Sequence, residues 1–549
     1  MIAKNTSYHQ TDCDTLSIDK IPKESEENMS VRKTDSDISQ EIRSWGEKHL
    51  KPDNLYRVVG EQLYSFMSWD ELEPMYSDTG RPSINPVILS LVTIFQFLED
   101  VPDRVASSFV VTRLDWKYAL HLPFNDSGFH YSDLCNFRKR LLSNAKASLM
   151  FDQLLGKIKA LGYLKKRKYQ RTDSTHVLAK VCQLSRLENL SEGLRMALNA
   201  IEKADPGFYQ EKIPASYRDQ WSVPLNDYRM TDKERKQSLE RLGQDIHWLL
   251  DMLKTFSFPG LPEVEVLNTL FHQNYIIESH KIHLREECVN GKEKIQTPHD
   301  PEARYSSKRG QSWTGYKTHI TETANEKSQV NFITDITTTN ACDRDNETLP
   351  QIQDNIEERD LKPEQQYVDK SYVTGNNLAD SQEKGIQLMG EASELSNKGL
   401  FTADDFTIDY QSRTAICPSG SVSCSWHELE TERYKGDVQI SFGQQCQCCS
   451  LRERCTRNQH GRNLRIQRHH NLLKERRIES QTDSFKEAMK RRPPVEGTIS
   501  EMARSHGLRR SRYRGILKTE LQSLMIGTAV NLKRLIKVIS LSKSISATA

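Results

Sequence analysis

The chain has 549 residues, 36% hydrophobic and 28% charged, which is long enough for several domains with sizeable cores. Its best membrane candidate, "VILSLVTIFQFLE" at 87–99, is shorter than the roughly 20 residues a span needs and is interrupted by Thr93 and Gln96. The first 45 residues carry no apolar stretch behind a basic start, so neither membrane insertion nor secretion is expected and a cytoplasmic protein is. The net charge of +2 hides an uneven distribution. Residues 451–540 hold 22 Lys and Arg against 8 Asp and Glu, an excess that points to a polyanionic partner, nucleic acid first. Of 11 cysteines, six lie between Cys417 and Cys455, a cluster that an intracellular chain would not use for disulfides.

Residues 1–45 are rich in Ser, Asp, Glu and Lys and are expected to form a disordered polar tail. Residues 46–165 read as a helical domain. Asn85 and Pro86 make an N-cap and first-turn pair for "PVILSLVTIFQFLED", and Ser132 with Asp133 caps "LCNFRKRLL". At 166–182 the stretch "YQRTDSTHVLAKV" has the Thr, Val and Tyr content of a strand, in which Asp173 is out of place. It is either a strand-end carboxylate bonded to its neighbours or a metal ligand in search of partners. Residues 183–304 form a helical insertion, with Leu184, Leu187, Leu194, Leu198 and Ile201 on one helix face and a second helix at 234–256.

Strand signals return within 305–395, at 313–324, 329–339, 365–369 and 385–390, with a helix at "NETLPQIQDNIEERD". A Cys-rich insertion (396–475) and a basic helical part (476–540) follow. With the insertions removed, the order is three strands, a helix, a strand, a link and a fifth strand. That is a mixed α/β arrangement of ribonuclease H-like type, in which the first and fourth strands are neighbours and Asp173 comes near Asp369.

Four blocks, "QRTDSTHV", "DPEARYSSKRGQSWTGYKTHITET", "YVDKSYVTG" and "RRPPVEGTISEMARSHGLRRSRYRG", resemble in this order the DDE transposases of bacterial insertion sequences. The stretch "GRPSINPVILSLVTIFQFLEDVPDRVASSFVVTRLDWKYALHLP" resembles their N-terminal helical domain. The resemblance implies cutting and joining of double-stranded DNA at the terminal inverted repeats of an element and at a target. It implies Mg²⁺ or Mn²⁺ held by Asp173, Asp369 and Glu496, and a homodimer on DNA. Hard oxygen ligands suit these ions, and crowded carboxylates need cations to relieve their repulsion. Arg492 fits the family's Arg four residues before the glutamate, whereas Met489 stands where many relatives have Tyr, and Lys370 and Ser371 replace small residues after Asp369.

Arg492, Arg504, Arg509, Arg510 and Arg512 are the expected DNA contacts. Asp335, Asp343 and Asp345 are rival second carboxylates, and His176 is a strand histidine or a DNA contact. Cys417, Cys446, Cys449 and Cys455 form a candidate structural Zn²⁺ site, with Cys424 and Cys448 as substitutes and free buried thiols as the other reading. The competing function is a DNA-binding protein or repressor without catalysis, in which "TISEMARSHGLRRSRYRG" forms a helix-turn-helix with Gly507 in the turn. A zinc-stabilised nuclease acting on RNA has no specific feature behind it.

Overall fold

The computed structural model describes residues 29–30, 37–77, 79–164, 168–181, 184–286, 289–308, 310–325, 330–431 and 435–548. Most of the expected polar tail lies outside the described residues. Its last part does not fit the expectation, because a helix runs over Gln40–His49 and buries Ile42. The helical region that follows is built on α1 (Pro86–Leu98). Asn85 Oδ1 accepts the Val87 N–H and Pro86 occupies the first turn, as expected of this pair. Nearly every residue of α1 is buried, which explains an apolar run too short for a membrane. The helix Ser132–Ser143 begins at Ser132, without a capping bond from that side chain.

The central sheet is mixed. It comprises β1 (Tyr169–Leu178), β2 (Arg304–Lys308), β3 (Gln311–Thr323), β4 (Ile333–Asn340), β5 (Gln365–Tyr367) and β6 (Gln387–Met389). The order is β6–β5–β1–β3, with β2 and β4 both against the far edge of β3. β3 is antiparallel to β1, β2 and β4, while β5 is parallel to both β1 and β6. Gly315 lies where β3 crosses β1, and a Cβ there would stand 2.2 Å from the Val177 carbonyl oxygen. Only glycine allows that approach at its φ of +153°. The expected strands are present, and β2 is an addition that polar, exposed "RYSSK" did not announce.

Between β1 and β2 lies a helical unit with a core of its own. It contains α2 (Arg186–Ala204) and α3 (Asp232–Thr255), which open with the capping boxes Ser185/Glu188 and Thr231/Glu234. Leu187, Leu194, Leu198 and Ile201 are buried there, as the spacing requires, while Leu184 precedes the cap. Three further helices, Pro206–Lys212, Ala215–Trp221 and Pro262–Asn274, and the hairpin Tyr275–Glu278/Lys281–Leu284 belong to the same unit. The Cys-rich region forms a separate small core around a three-stranded sheet, Ser425–Glu428, Val438–Ser441 and Asn463–Ile466.

Helix α4 (Asp345–Glu358) follows β4, α5 (Val495–Ser505) packs on β1 and β3, and the long α6 (Ile516–Thr548) packs along β4. Asn531 of α6 accepts the Ile333 N–H at 2.9 Å and donates to the Ile333 carbonyl at 2.8 Å, so a side chain covers an open strand edge. One continuous apolar core joins the N-terminal helices, the sheet, α5 and α6.

Candidate active site

The register of the sheet determines where Asp173 and Asp369 fall. Tyr169, Gln170 and Arg171 of β1 pair in parallel with Gln365, Gln366 and Tyr367 of β5. Two residues further on in each chain segment come Asp173 and Asp369, so continuing the register sets them side by side. Each carboxylate accepts the N–H of the next residue, Ser174 at 2.8 Å and Lys370 at 2.9 Å. For Asp369 this bond opens the short turn Lys370–Tyr372 that ends the strand. Burial pushes the Asp173 carboxyl up, the Arg492 guanidinium pulls it back down, and the nearby charge of Asp369 adds to the rise.

Glu496 comes from α5. Val495, Thr498, Ile499 and Met502 form its buried stripe, and Glu496 sits at the edge of that stripe, 67% exposed. Arg492 joins the two sides of the site, with Nη2 2.7 Å from Asp173 Oδ2 and Nη1 3.7 Å from Glu496 Oε1. Two carboxylates thus share one guanidinium, and Asp369 lies near enough to Asp173 for its charge to be felt there. Their oxygens are the right donors for Mg²⁺ or Mn²⁺, but among the described residues no three His, Cys, Asp or Glu side chains stand in a geometry that could hold a metal ion. Lys370 is exposed.

The rival aspartates have partners of their own, which for Asp345 include Ser174, the residue after Asp173, at 3.4 Å. Asp335 pairs across from Thr321, whose side chain points away from that of Ile320, the partner of Asp173. It is wholly buried and bonded by Arg359 at 2.7 Å, Asn355 at 3.1 Å and Thr337 at 2.8 Å. Asp345 forms an ion pair with Lys317 at 2.9 Å, and Asp343 accepts the Asn340 N–H at 3.0 Å. His176 is half-buried near Trp313, and burial followed by the charge of Arg509 pushes its pKa down.

The helix-turn-helix that the competing DNA-binding reading requires is absent. After Ser505 the chain turns at Gly507 and runs without a second helix up to α6. The cause is a competing backbone pairing, in which the Leu178 N–H donates to the Arg509 carbonyl and the Ser511 N–H donates to the Leu178 carbonyl. This leaves Arg509 and Arg510 exposed near the end of β1, with Arg509 Nε 3.3 Å from Thr175 Oγ1, while Arg504 is exposed in the last turn of α5. Arg512 points the other way. It donates to the Val101 carbonyl at 2.7 Å, pairs with Asp100 and lies over the Phe97 ring, clamping this segment to the N-terminal helices.

In the Cys-rich region, Cys417, Cys446, Cys449 and Cys455 line one cavity of about 20 Å³, closed by Phe401 and Phe442. Cys424 and Cys448 are exposed outside it. The Cys417–Gly420 turn is closed by a Gly420 N–H bond to the Cys417 carbonyl at 2.8 Å, with Gly420 at φ +87°.

The mixed sheet brings Asp173 and Asp369 to neighbouring strands, and comparison with protein families says what the chain is similar to. A transposase DDE domain matches residues 416–536, a span that includes Glu496 and the four cysteines, and a transposase domain (DUF772) matches residues 45–140. Together they support a DDE transposase of insertion-sequence type, as the sequence blocks implied. No curated protein and no solved structure matches the chain. Transposases act on DNA, and no helix among the described residues is long and apolar enough to cross a membrane.

Sequence reasoning did not single out two buried charged residues beside this site, Glu322 and Arg171. Their signal was the one that exposed Asp173: a charged residue inside a stretch of Thr, Ile and Tyr.

Proposed function

We propose that the chain is the transposase of an insertion element, binding its terminal inverted repeats in double-stranded DNA and cutting and joining phosphodiester bonds there and at a target. The observation that carries this reading is the parallel β1–β5 register, which sets Asp173 level with Asp369 beneath the helix bearing Glu496. The strand order, with β1, β3 and β4 antiparallel and β5 and β6 parallel to β1, supports a ribonuclease H-like core interrupted by the helical and Cys-rich insertions.

Asp173, Asp369 and Glu496 would hold Mg²⁺ or Mn²⁺, which when bound stabilises charge on the attacking and leaving oxygens. The chain's own residues prepare that place. Asp173, in the middle of β1, is held by the Ser174 N–H on Oδ1 and by Arg492 on Oδ2, and Asp369, just past β5, by the Lys370 N–H. Arg492 offers N–H donors that fit a phosphate oxygen beside Asp173. Arg504, Arg509 and Arg510 add exposed positive charge for the DNA backbone. Two copies would act together on two element ends, in the cytoplasm.

Cys417, Cys446, Cys449 and Cys455 belong to the proposal as holders of a structural Zn²⁺. Four thiols around one small cavity are the donor set such an ion takes. The reading is tested by incubating the chain with DNA carrying the inverted repeats of its element and Mg²⁺ or Mn²⁺. Strand nicks at the repeat ends and joined products are expected. Retarded complexes without any nick in either ion would favour a DNA-binding protein without catalysis.

A further inference from the structure

The strongest unassigned feature is an ion cluster beneath α5. Glu322 of β3 is fully buried, and its carboxylate meets groups from three other elements. Arg171 on β1, its register partner, forms an ion pair at 2.5 Å. Thr498 of α5 donates its hydroxyl at 2.6 Å, and Arg534 of α6 donates at 3.0 Å. Arg534 also donates to the Thr498 oxygen at 2.7 Å, and Arg171 donates to the backbone carbonyl of Arg491 at 3.1 Å.

A buried ion cluster is seldom more stabilising than apolar packing of the same shape, but its geometry is far more specific. Beside it, α5 rests on Val495, Ile499 and Met502, apolar contacts that tolerate small slides and rotations, and on the ion pairs of Glu501 with Lys533 and Arg534 one turn further on. The cluster fixes the chain at Arg491 and at Thr498. Between these anchors lie Arg492 and Glu496, the two residues that complete the carboxylate site.

We propose that Glu322 is a positioning residue for Glu496, holding α5 over β1 through the Thr498 hydroxyl and, by way of Arg171, through the Arg491 carbonyl. The proposal rests on Glu496 belonging to the reacting carboxylates, and it adds the device that sets its place.

Thr498→Val is the decisive variant, because it keeps the side-chain shape and every charge while cutting the direct link between α5 and Glu322 and leaving the Arg534 bridge to Glu501 in place. Thr498→Ser restores the link. Two readouts are taken on the full chain: amide hydrogen exchange over 495–502, and Mg²⁺-dependent nicking of inverted-repeat DNA with a gel-shift control. In Thr498→Val, exchange over 495–502 should accelerate about tenfold or more while that of 86–98 is unchanged. Nicking should fall about tenfold or more with DNA binding retained, and Thr498→Ser should recover both within about threefold.

Unchanged exchange in Thr498→Val overturns the proposal, whatever nicking does. Faster exchange with undiminished nicking overturns it as well. If the unmutated chain never nicks DNA but exchange still accelerates and Ser restores it, the anchoring of α5 stands and the transposase reading falls. Should Thr498→Val not fold, the same pair of readouts on Glu322→Gln decides.

Discussion

Asp173 and Asp335 occupy one sheet with β3 between them, yet they face opposite sides of it. On the Asp335 side the carboxylate is enclosed and matched by Arg359, Asn355 and Thr337. On the Asp173 side Arg492 bridges the aspartate to Glu496, which is largely exposed, and Asp369 adds a further negative charge at the open edge. The first arrangement encloses its carboxylate, and the second shares one arginine between Asp173 and a Glu496 that stays open to solvent. A one-residue change of strand parity separates the two, because side chains alternate faces.

The sharpest way to break this comparison is to neutralise each side. Asp173→Asn, Asp369→Asn and Glu496→Gln should each lower Mg²⁺-dependent nicking by about a thousandfold or more, with end binding largely retained, since amides keep the shape and lose the charge that holds cations. Nicking that survives Asp369→Asn but is lost in Asp335→Asn would show that the roles of the two faces had been exchanged. The next largest effect concerns the second donor cluster. Cys446→Ser with Cys449→Ser should remove about one zinc per chain by elemental analysis and lower the melting temperature by about 5 °C or more. Unchanged metal content and melting would identify the four thiols as ordinary buried cysteines.

Asp335→Asn should instead cost stability. It leaves Arg359, 17% exposed, with Asp152 as its remaining anion, and breaking a buried pair costs about 3 kcal/mol. Denaturant unfolding measures this, and nicking per folded molecule should stay near that of the parent. A loss of nicking without loss of stability would contradict the assignment of this face to structure.

The contrast also explains what could be read from the sequence. Strands β1, β3 and β4 announce themselves through Thr, Val and Ile at positions 169–178, 311–323 and 333–340, and Asp173 is conspicuous against that background. Parity is legible as well, but only once the register is known, which is why Asp335 remained a rival. The basic run after Gly507 misled because its pattern suits a helix, while its backbone is claimed by Leu178 and its Arg512 by Asp100. Neither long-range partner leaves a local trace. Hairpin strand β2 escaped for the opposite reason, since an exposed polar edge has no apolar alternation to display.

That difference among the arginines gives a smaller test. Arg509→Ala with Arg510→Ala should flatten the dependence of log K on log salt for end DNA by about 1.8, at roughly 0.9 for each phosphate that is no longer neutralised. Arg512→Ala should leave the slope unchanged and lower the melting temperature, because its partners are Val101 and Asp100. A slope that responds to Arg512 alone would place the DNA on the wrong side of this segment.

The smallest expected effect lies beside Asp335. A cavity of about 620 Å³ runs past Asp152, Asn355, Arg359 and Glu520. Burial lifts the Glu520 carboxyl from 4.5 to about 7, the Thr338 N–H bond opposes the rise, and the charge of Asp335 adds to it. In the unfolded chain this glutamate releases its proton near 4.5. Between those values the folded chain holds a proton that the unfolded chain has lost, so this group's stabilisation is fully present below pH 4.5 and is lost as pH rises through 7. Glu520 is only partly buried beside this cavity, which limits the change to about 1 kcal/mol. Glu520→Gln should remove this slope, matching the parent near pH 5 and exceeding its stability at pH 8, as read from denaturant midpoints across the range. Parallel pH profiles for parent and variant would show that Glu520 shares the open, solvated character of the Asp173 side rather than the enclosed one.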